Sequence, residues 1–142
     1  SPATCAAGIA ALRLVAGTDA CQQAIRYGDG LMDELNDLFE AEAVSWIAYG
    51  TYGGFHVFLN PEGADTDRRR IEAGEHDFAF LKAAVPTAVS LKLRVGLLVH
   101  GVDVQGWPGA PVSAAHTATD REQTVEAFRR TIQALRDEGD LE

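Results

Sequence analysis

The chain has 142 residues, of which 46% are hydrophobic and 23% are charged, and its formal net charge is -9. This length suits one domain with an apolar core, and no apolar run approaches the roughly 20 residues that a membrane-spanning helix needs. Twelve Lys and Arg against twenty-one Asp and Glu disfavour nucleic acid and anionic membranes as partners, because both bind basic surfaces.

A first helix rich in small residues is predicted at the start of the chain. Ser1 is a suitable N-cap, Pro2 a suitable first helical residue, and the alanine-rich run ends at Gly17. The larger residues recur at helical spacing and predict a buried stripe formed by Cys5, Ile9, Leu12 and Val15. A helix of this composition favours close packing against a neighbouring element.

A second helix is predicted from a cap at Thr18 to about Ala43. It has a broad apolar face, made of Ala24, Ile25, Gly28, Leu31, Met32, Leu35, Leu38 and Phe39. Cys5 and Cys21 fall on the two helices, and we expect each to be a small buried residue. Because no signal peptide precedes them, reduced thiols in a cytoplasmic protein are predicted.

Two strands follow, over residues 44–49 and 55–59, and the glycine-rich segment 50–54 between them predicts an antiparallel pair. Residues 60–75 are polar and contain Pro and Gly, which predicts a surface loop. The arginines at 68–70 stand beside acidic residues, and local ion pairs are a better explanation of them than a phosphate site.

The next segment is predicted to be helical over residues 76–84, interrupted at Pro86, and helical again from a cap at Thr87 until Gly101. One side of the longer helix is lined by Val89, Leu93, Gly96, Leu97 and His100. A brief strand is predicted over 102–104, and residues 105–110 form a Gly- and Pro-rich turn.

The last part of the chain predicts a strand from Pro111 to His116 that leads into a capped helix. Thr119 and Glu122 have the spacing of a capping box, which would start the helix at Asp120. Its apolar stripe consists of Val125, Phe128, Ile132 and Leu135. The whole pattern predicts one α+β domain over residues 1–142, with an antiparallel or mixed sheet of three to four strands and helices on one face.

Few residues suggest a site. His56, His76 and His100 have no Cys, Asp or Glu at metal-ligand spacing around them, so no metal site is expected. Trp107, between Gly106 and Pro108, either presents its side chain to a ligand or an adjoining domain, or packs in a core. His116 is either a polar contact or a structural residue that bonds a backbone group.

Two segments resemble one family. Residues 111–128, with Ala-His-Thr before an acidic helix start, are similar to the last strand and helix of class III (fold-type I) pyridoxal-phosphate aminotransferases. The glutamate-1-semialdehyde aminomutase-like branch is the most similar. Residues 1–12, Ser-Pro-Ala-Thr-Cys-Ala-Ala-Gly-Ile-Ala-Ala-Leu, resemble the Asn-Pro pattern that opens the long interdomain helix of that family, with Ser1 in place of Asn. The glycine-rich turn at 50–54 has a weaker counterpart there.

The resemblance implies that this chain is the C-terminal small domain of a longer enzyme, with residues 1–17 as its interdomain helix. Pyridoxal phosphate is then the cofactor of the parent enzyme, and none is expected for this segment. The lysine and threonine that hold the cofactor in the family lie upstream of the segment, so it contains no catalytic or cofactor-binding residue. Lys82 and Lys92, the only lysines, fall where the family has variable residues. We therefore expect the segment to be inactive alone.

The implied partners are the N-terminal large domain of the parent chain, a second subunit in a homodimer, and a small amino compound as substrate. Trp107, Gln105 and His116 are the candidates for the substrate side. Residues 105–110 lack the gating glutamate of the aminomutases, and an arginine common before the last strand is missing, so both aminotransferase and aminomutase remain open. The alternative is a free-standing, non-catalytic α+β binding or dimerisation module, which would have to cover its own first helix.

Overall fold

The computed structural model describes residues 1–83 and 87–141. Over these residues the strands are β1 (Ile47–Tyr49), β2 (Gly54–Phe58) and β3 (Gly109–Pro111). The helices are α1 (Pro2–Gly17), α2 (Ala20–Ala41), α3 (Arg68–Glu72), α4 (Phe78–Ala83), α5 (Thr87–Val99) and α6 (Ala118–Asp137). The predicted α+β class is confirmed. The predicted interruption at Pro86 lies outside the described residues.

The three strands form one antiparallel sheet in the order β1-β2-β3. Ala48 lies opposite Val57, and Phe55 lies opposite Ala110. The predicted antiparallel pair is confirmed, but β1 is shorter than the predicted strand over 44–49. The reason is that Val44 donates its backbone N–H to Phe39 O at 3.0 Å, so the chain closes the end of α2 before it joins the sheet.

The long helices α2, α5 and α6 pack on one face of the sheet, as predicted. Phe55 and Val57 of β2 point into this main core, where Phe128 and Leu97 are completely buried. Phe58 points to the opposite face and forms a smaller cluster with Ile47 and Ile71. The short α3 and α4 contact this second face, because side chains alternate between the two faces of a strand.

Helix α1 is exposed along its whole length. Ile9 is 52% exposed and Leu12 is 70% exposed, and both cysteines are exposed as well. The predictions of a buried stripe on α1 and of buried Cys5 and Cys21 are therefore wrong for the described chain, because the helix leaves the domain after a 70° bend at α2. In the described ranges no single helix is long and apolar enough to cross a membrane, although the bent pair α1 and α2 reaches that length together.

The polar segment after β2 is not wholly a loop, because it contains α3. The carboxylate of Asp67 accepts the Arg70 N–H at 2.9 Å and caps this helix. Arg70 forms the predicted local ion pairs, with Asp65 and Glu75. Arg68 contacts the nearby Glu72 and also reaches two carboxylates of α2, those of Asp29 and Asp33. The arginine cluster therefore ties α3 to α2.

The segment between α5 and β3 differs from its prediction. Residues 102–104 form no strand, since Val102 donates its N–H to Leu97 O at 2.9 Å and so closes the end of α5. Val104 is buried as a side chain of the main core. This segment serves helix termination and packing, which an alternating Val-Asp-Val pattern does not distinguish from a strand.

Two of the helix caps predicted at threonines, those at Thr18 and Thr119, are also misplaced. Helix α2 begins at Ala20 with Asp19, not Thr18, in the N-cap position. Strand β3 ends at Pro111, because its last partner is Gly54 at the start of β2, so His116 lies in a loop. Helix α6 begins at Ala118, and its capping box is formed by Thr117 and Asp120 in place of Thr119 and Glu122.

Replacing Thr117 by Ala is expected to lower the free energy of unfolding by about 1 kcal/mol, the usual effect of losing an N-cap hydroxyl. Thr117 Oγ1 accepts the Asp120 N–H, and the Asp120 carboxylate accepts the Thr117 N–H at 2.6 Å. Thr119→Ala is the control and should change stability by less than half as much. Urea denaturation of both variants measures this, and a larger loss for Thr119→Ala would mean that the helix begins two residues later.

Candidate functional site

The three substrate-side candidates lie in two loops beside β3. Gln105 and Trp107 precede the strand, where the Gln105 N–H donates to Gly109 O at 2.9 Å. His116 follows the strand, in the loop that leads to α6. Gln105 and His116 are exposed, and Trp107 is half-buried. The tryptophan is therefore the candidate with the most contacts inside the domain.

Trp107 belongs to an aromatic cluster that we define as Tyr49, His56, Phe78 and Trp107. The ring centroids of His56 and Trp107 are 5.4 Å apart, and Phe78 meets Trp107 edge-on at 5.2 Å. Tyr49 lies 5.8 Å from His56 on the neighbouring strand. These are the distances at which aromatic rings pack favourably. The cluster joins β1, β2, α4 and the loop before β3.

Two nitrogens of this cluster are buried without a hydrogen-bond partner within the described ranges, Trp107 Nε1 and His56 Nδ1. A buried polar atom left unpaired costs about 1–3 kcal/mol, and most proteins satisfy such groups. Gly109 packs directly against the imidazole of His56, since a Cβ added at Gly109 would lie 2.7 Å from His56 Nδ1. The cluster thus holds two polar atoms that the described chain leaves unsatisfied.

Burial lowers the pKa of His56, because the apolar surroundings disfavour the charged imidazolium. The folded pKa is below the ordinary value of 6.5, so at a pH between the two values the imidazole takes up a proton when the chain unfolds. The stability that neutral His56 contributes is fully present above that ordinary value and is lost as the pH falls through it toward the folded pKa.

We therefore expect the free energy of unfolding to fall as the pH is lowered from about 7.5 through 6.5, and to fall less in His56→Phe, which keeps a ring but cannot titrate. The carboxylates with lowered pKa, such as Asp120, lose their contribution only at lower pH. Denaturation curves of both proteins across this range measure the difference. Equal slopes would show that His56 is not the buried titrating group.

His116 forms a separate cluster with Tyr27. The rings stack with centroids 5.1 Å apart and planes at 29°. His116 Nδ1 accepts the Ser113 backbone N–H at 3.0 Å, which leaves Nε2 to carry the proton of the neutral ring. Burial raises the pKa of Tyr27, with the Asp120 carboxylate as a smaller cause. His116 is held by a backbone group and a tyrosine ring while its edge stays accessible.

The two lysines of the chain do not fit the aldehyde end of pyridoxal phosphate. Lys92 Nζ is paired with Asp140 and with Glu138, and these hydrogen bonds raise the pKa of Lys92. A raised pKa disfavours the neutral amine that forms a Schiff base. Lys82 is exposed on α4, with its Nζ 5.5 Å from the centre of the Phe78 ring. Among the described residues no three His, Cys, Asp or Glu side chains are grouped to hold a metal.

Sequence reasoning identified Trp107 but not His56 or Phe78 as its neighbours. The alternation in β2 carried the signal for His56, because a histidine between Phe55 and Val57 must point away from the main core. No sequence pattern pointed to Phe78, since its contact with Trp107 depends on how α4 returns to the second face of the sheet.

Solved structures share this fold. The FumI protein of Sphingopyxis sp. MTA144, in its pyridoxal-phosphate internal aldimine form, is 23% identical and matches 96% of this chain with a TM-score of 0.70. An omega-transaminase of Sphaerobacter thermophilus is 16% identical over 81% of the chain, with a TM-score of 0.63. A beta-phenylalanine aminotransferase of Variovorax paradoxus is 21% identical over 82%, with a TM-score of 0.60. No protein-family model and no curated protein sequence matches the chain.

The matched region is a minor part of each of those proteins. This chain spans 28% of the FumI chain and 24% of each of the other two. At these identities the likeness establishes the fold. The chain therefore shares the fold of about a quarter of each of these proteins, which agrees with the family resemblance of its sequence.

Proposed function

We propose that this chain is the C-terminal small domain of a pyridoxal-phosphate-dependent aminotransferase. The observation that supports this most directly is that solved structures, an omega-transaminase among them, match 81–96% of this chain while extending far beyond it. Two independent sequence segments, 1–12 and 111–128, resemble the same family. The domain would pack on the large domain of its parent chain and complete the substrate side of the active site, in a homodimer.

The exposed helix α1 supports this role. Its apolar residues Ile9, Leu12 and Val15 are each more than half exposed, and its remaining surface is mostly Ala and Gly. Exposed apolar surface of this kind marks an interaction site. An interdomain helix needs such a face, because the large domain covers it in the complete protein. In a self-contained module we would instead expect the apolar residues of α1 to be buried against the rest of its own chain.

Pyridoxal phosphate would be held by the large domain and would supply the electron sink of transamination. The residues of this chain would act on the substrate: Trp107 and Gln105 from the loop before β3, and His116 from the loop after it. Trp107 offers an apolar ring and a donor, and His116 an accessible imidazole edge. These groups would orient a substrate and exclude water, and the proton transfers would fall to the large domain.

In a second version of this proposal, the parent enzyme is an aminomutase. The segment 105–110 contains no acidic residue, whereas aminomutases place a glutamate there. The transaminases among the similar structures also favour the aminotransferase. A free-standing binding or dimerisation module is the alternative outside this class, and a dimer that buried α1 would favour it.

The test compares the purified chain with its complete gene product. With pyridoxal phosphate and a panel of amino donors, the 142-residue chain should show neither saturable cofactor binding nor turnover, while the complete product shows both. Turnover by the isolated chain would contradict the proposal. A complete product that binds no pyridoxal phosphate would contradict it as well, and isomerisation without an external acceptor would identify the aminomutase.

A further inference from the structure

Helix α5 has two apolar faces, and only one of them packs in the domain. Leu93 and Leu97 are completely buried in the main core. The opposite face forms a ridge of large residues at helical spacing, each more than half exposed: Leu91, Val95, Leu98 and Val99. We call these four residues the α5 ridge. Because a helix that is apolar all round is ordinarily covered on every side, the ridge needs a covering layer that the described chain does not supply.

The neighbouring helix shows that an outward position alone does not account for the ridge. The exposed residues of α6 are polar or charged apart from two alanines. On α5 the only charged residues are Lys92 and Arg94, which flank the ridge. The largest apolar patch of a monomeric protein measures roughly 300–600 Å² and is often functional, and four aliphatic side chains exposed to this degree form a patch of that order.

A groove runs beside the ridge, between α5 and α6. It has a volume of about 410 Å³, and its lining is mainly apolar and includes the small residues Gly96 and Ala134. Val95 and Val99 of the ridge form its wall on the α5 side. A ridge and a groove side by side on one surface are self-complementary, because a twofold axis brings the ridge of each copy against the groove of the other.

The ridge is separate from the surface that α1 exposes. Helix α6 packs on α2 through Phe128, whose ring meets that of Phe39. It packs on α5 through Thr131, which lies against Gly96. Helix α5 therefore lies across α6 from α2, the helix that carries α1. A partner that covers α1 does not thereby cover the α5 ridge.

The charges at the rim fit a second copy of this chain. Lys92 pairs with Glu138 at 2.8 Å beside one end of the ridge, and Arg130 pairs with Glu126 at 2.8 Å beside Val99 at the other end. An antiparallel second copy brings one end against the other, so that an acid and a base are present on both sides. The acidic residues of α6 and the net charge of -9 disfavour an anionic membrane in this place.

We propose that the α5 ridge is an interface between two copies of this chain, in which α5 packs antiparallel on α5 of the second copy about a twofold axis at Val95. Because Val95 lies midway between Leu91 and Val99, Leu91 then faces Val99 of the second copy and Val95 faces its own counterpart. Two ridges with their rims bury about 1,000 Å² in total, near the lower limit of a specific interface, so the contact is weak. The inference does not rest on the proposed transaminase function.

The test measures self-association of the 142-residue chain by sedimentation equilibrium, at concentrations from about 5 to about 500 µM. We expect a dimer with a Kd of roughly 10–100 µM. Val95→Glu should raise this Kd at least about tenfold, because two carboxylates would face each other across the axis. The matched control is Ile9→Glu on α1, since Ile9 is 52% exposed and Val95 is 53% exposed. The control should change the Kd by less than about twofold.

The contact of Val95 with its own counterpart is tested by mixing two variants. Val95→Lys should dissociate as Val95→Glu does, and both should keep the Tm of the original chain because the position is exposed. An equimolar mixture of the two should associate again, with a Kd within about threefold of the original, because opposite charges then meet across the axis.

A chain that stays monomeric over the whole concentration range overturns the proposal, and so does a mixture that fails to associate. A dimer that Ile9→Glu dissociates and Val95→Glu does not also overturns it, and places the contact on α1. Binding to anionic phospholipid vesicles without dimerisation would identify the ridge as a membrane contact instead. A monomeric chain leaves the transaminase proposal untouched, because the cofactor chemistry of the complete gene product decides that proposal.

Discussion

Replacing Phe128 by Ala is expected to lower the free energy of unfolding by about 3–5 kcal/mol, the largest effect of any single change discussed for this chain. Phe128 is 0% exposed, and its ring meets the edge of Phe39 at 5.8 Å. Removing the ring forfeits its burial and leaves a cavity between α2, α6 and the sheet. Because small domains are stabilised by only about 5–15 kcal/mol in total, this is a large share of the whole.

Phe78→Ala is the matched control, since it removes the same ring from a position that is 63% exposed. It should cost less than about 1 kcal/mol. If Phe128→Ala does not fold, Phe128→Leu gives a smaller and measurable loss. Guanidinium denaturation measures the free energy of unfolding of both variants. Equal losses of stability in Phe128→Ala and Phe78→Ala would mean that the main core is not where we describe it.

Gly109→Ala is expected to cost about 3 kcal/mol, near the upper end of the usual effect of overpacking. An added Cβ would lie 2.3 Å from Phe55 O and 2.7 Å from His56 Nδ1. The carbonyl oxygen belongs to the backbone of β2, so β2 and β3 must move apart to admit the methyl group. That movement also disturbs the hydrogen bond from Val57 N–H to Pro108 O, which is 2.7 Å long.

Gly106→Ala, in the loop just before β3, is the control, because no atom lies within 4 Å of a Cβ at that position. Its stability should stay within about 0.5 kcal/mol of the original chain. Amide exchange at Val57 distinguishes the two, with faster exchange expected only in Gly109→Ala. A neutral Gly109→Ala would mean that β3 does not pair with β2 in the register described.

Much of the fold could be predicted from patterns that depend on near neighbours alone. The apolar face of α2 and the stripe of Val125, Phe128, Ile132 and Leu135 on α6 repeat at helical spacing. The last three residues of that stripe are buried, and Val125 is partly buried. The alternation from Phe55 to Leu59 and the glycines before it predicted the antiparallel pair of β1 and β2. Such patterns are strong because burial forces the same period on every turn or strand.

The wrong predictions arose where two local sequence patterns fitted the chain equally well. Thr117 and Thr119 both stand three residues before an acidic side chain, so spacing could not select the true cap of α6. The end of β3 determines which threonine caps the helix, because the chain must turn at Ser113 before the helix can begin. A helix cap in this position is decided by the path of the preceding strand.

The candidate site was less predictable than the fold. The glycine and proline beside Trp107 drew attention to it, but its contacts with His56 and Phe78 join segments far apart in the sequence. The stripe on α1 illustrates the opposite case, since helical spacing predicted a buried stripe and could not show that no described part of this domain covers it. Local patterns identify which surface needs a partner, and only the folded chain shows whether it has one.

The most direct test of the account is the size and cofactor chemistry of the native gene product. An antibody against this chain would capture the product from its source cells after borohydride reduction, which fixes pyridoxal phosphate to its lysine. We predict a polypeptide several times longer than 142 residues, with a pyridoxyl-lysine peptide outside the sequence described here. A native product of this length with no such peptide would contradict the transaminase account and favour the binding module.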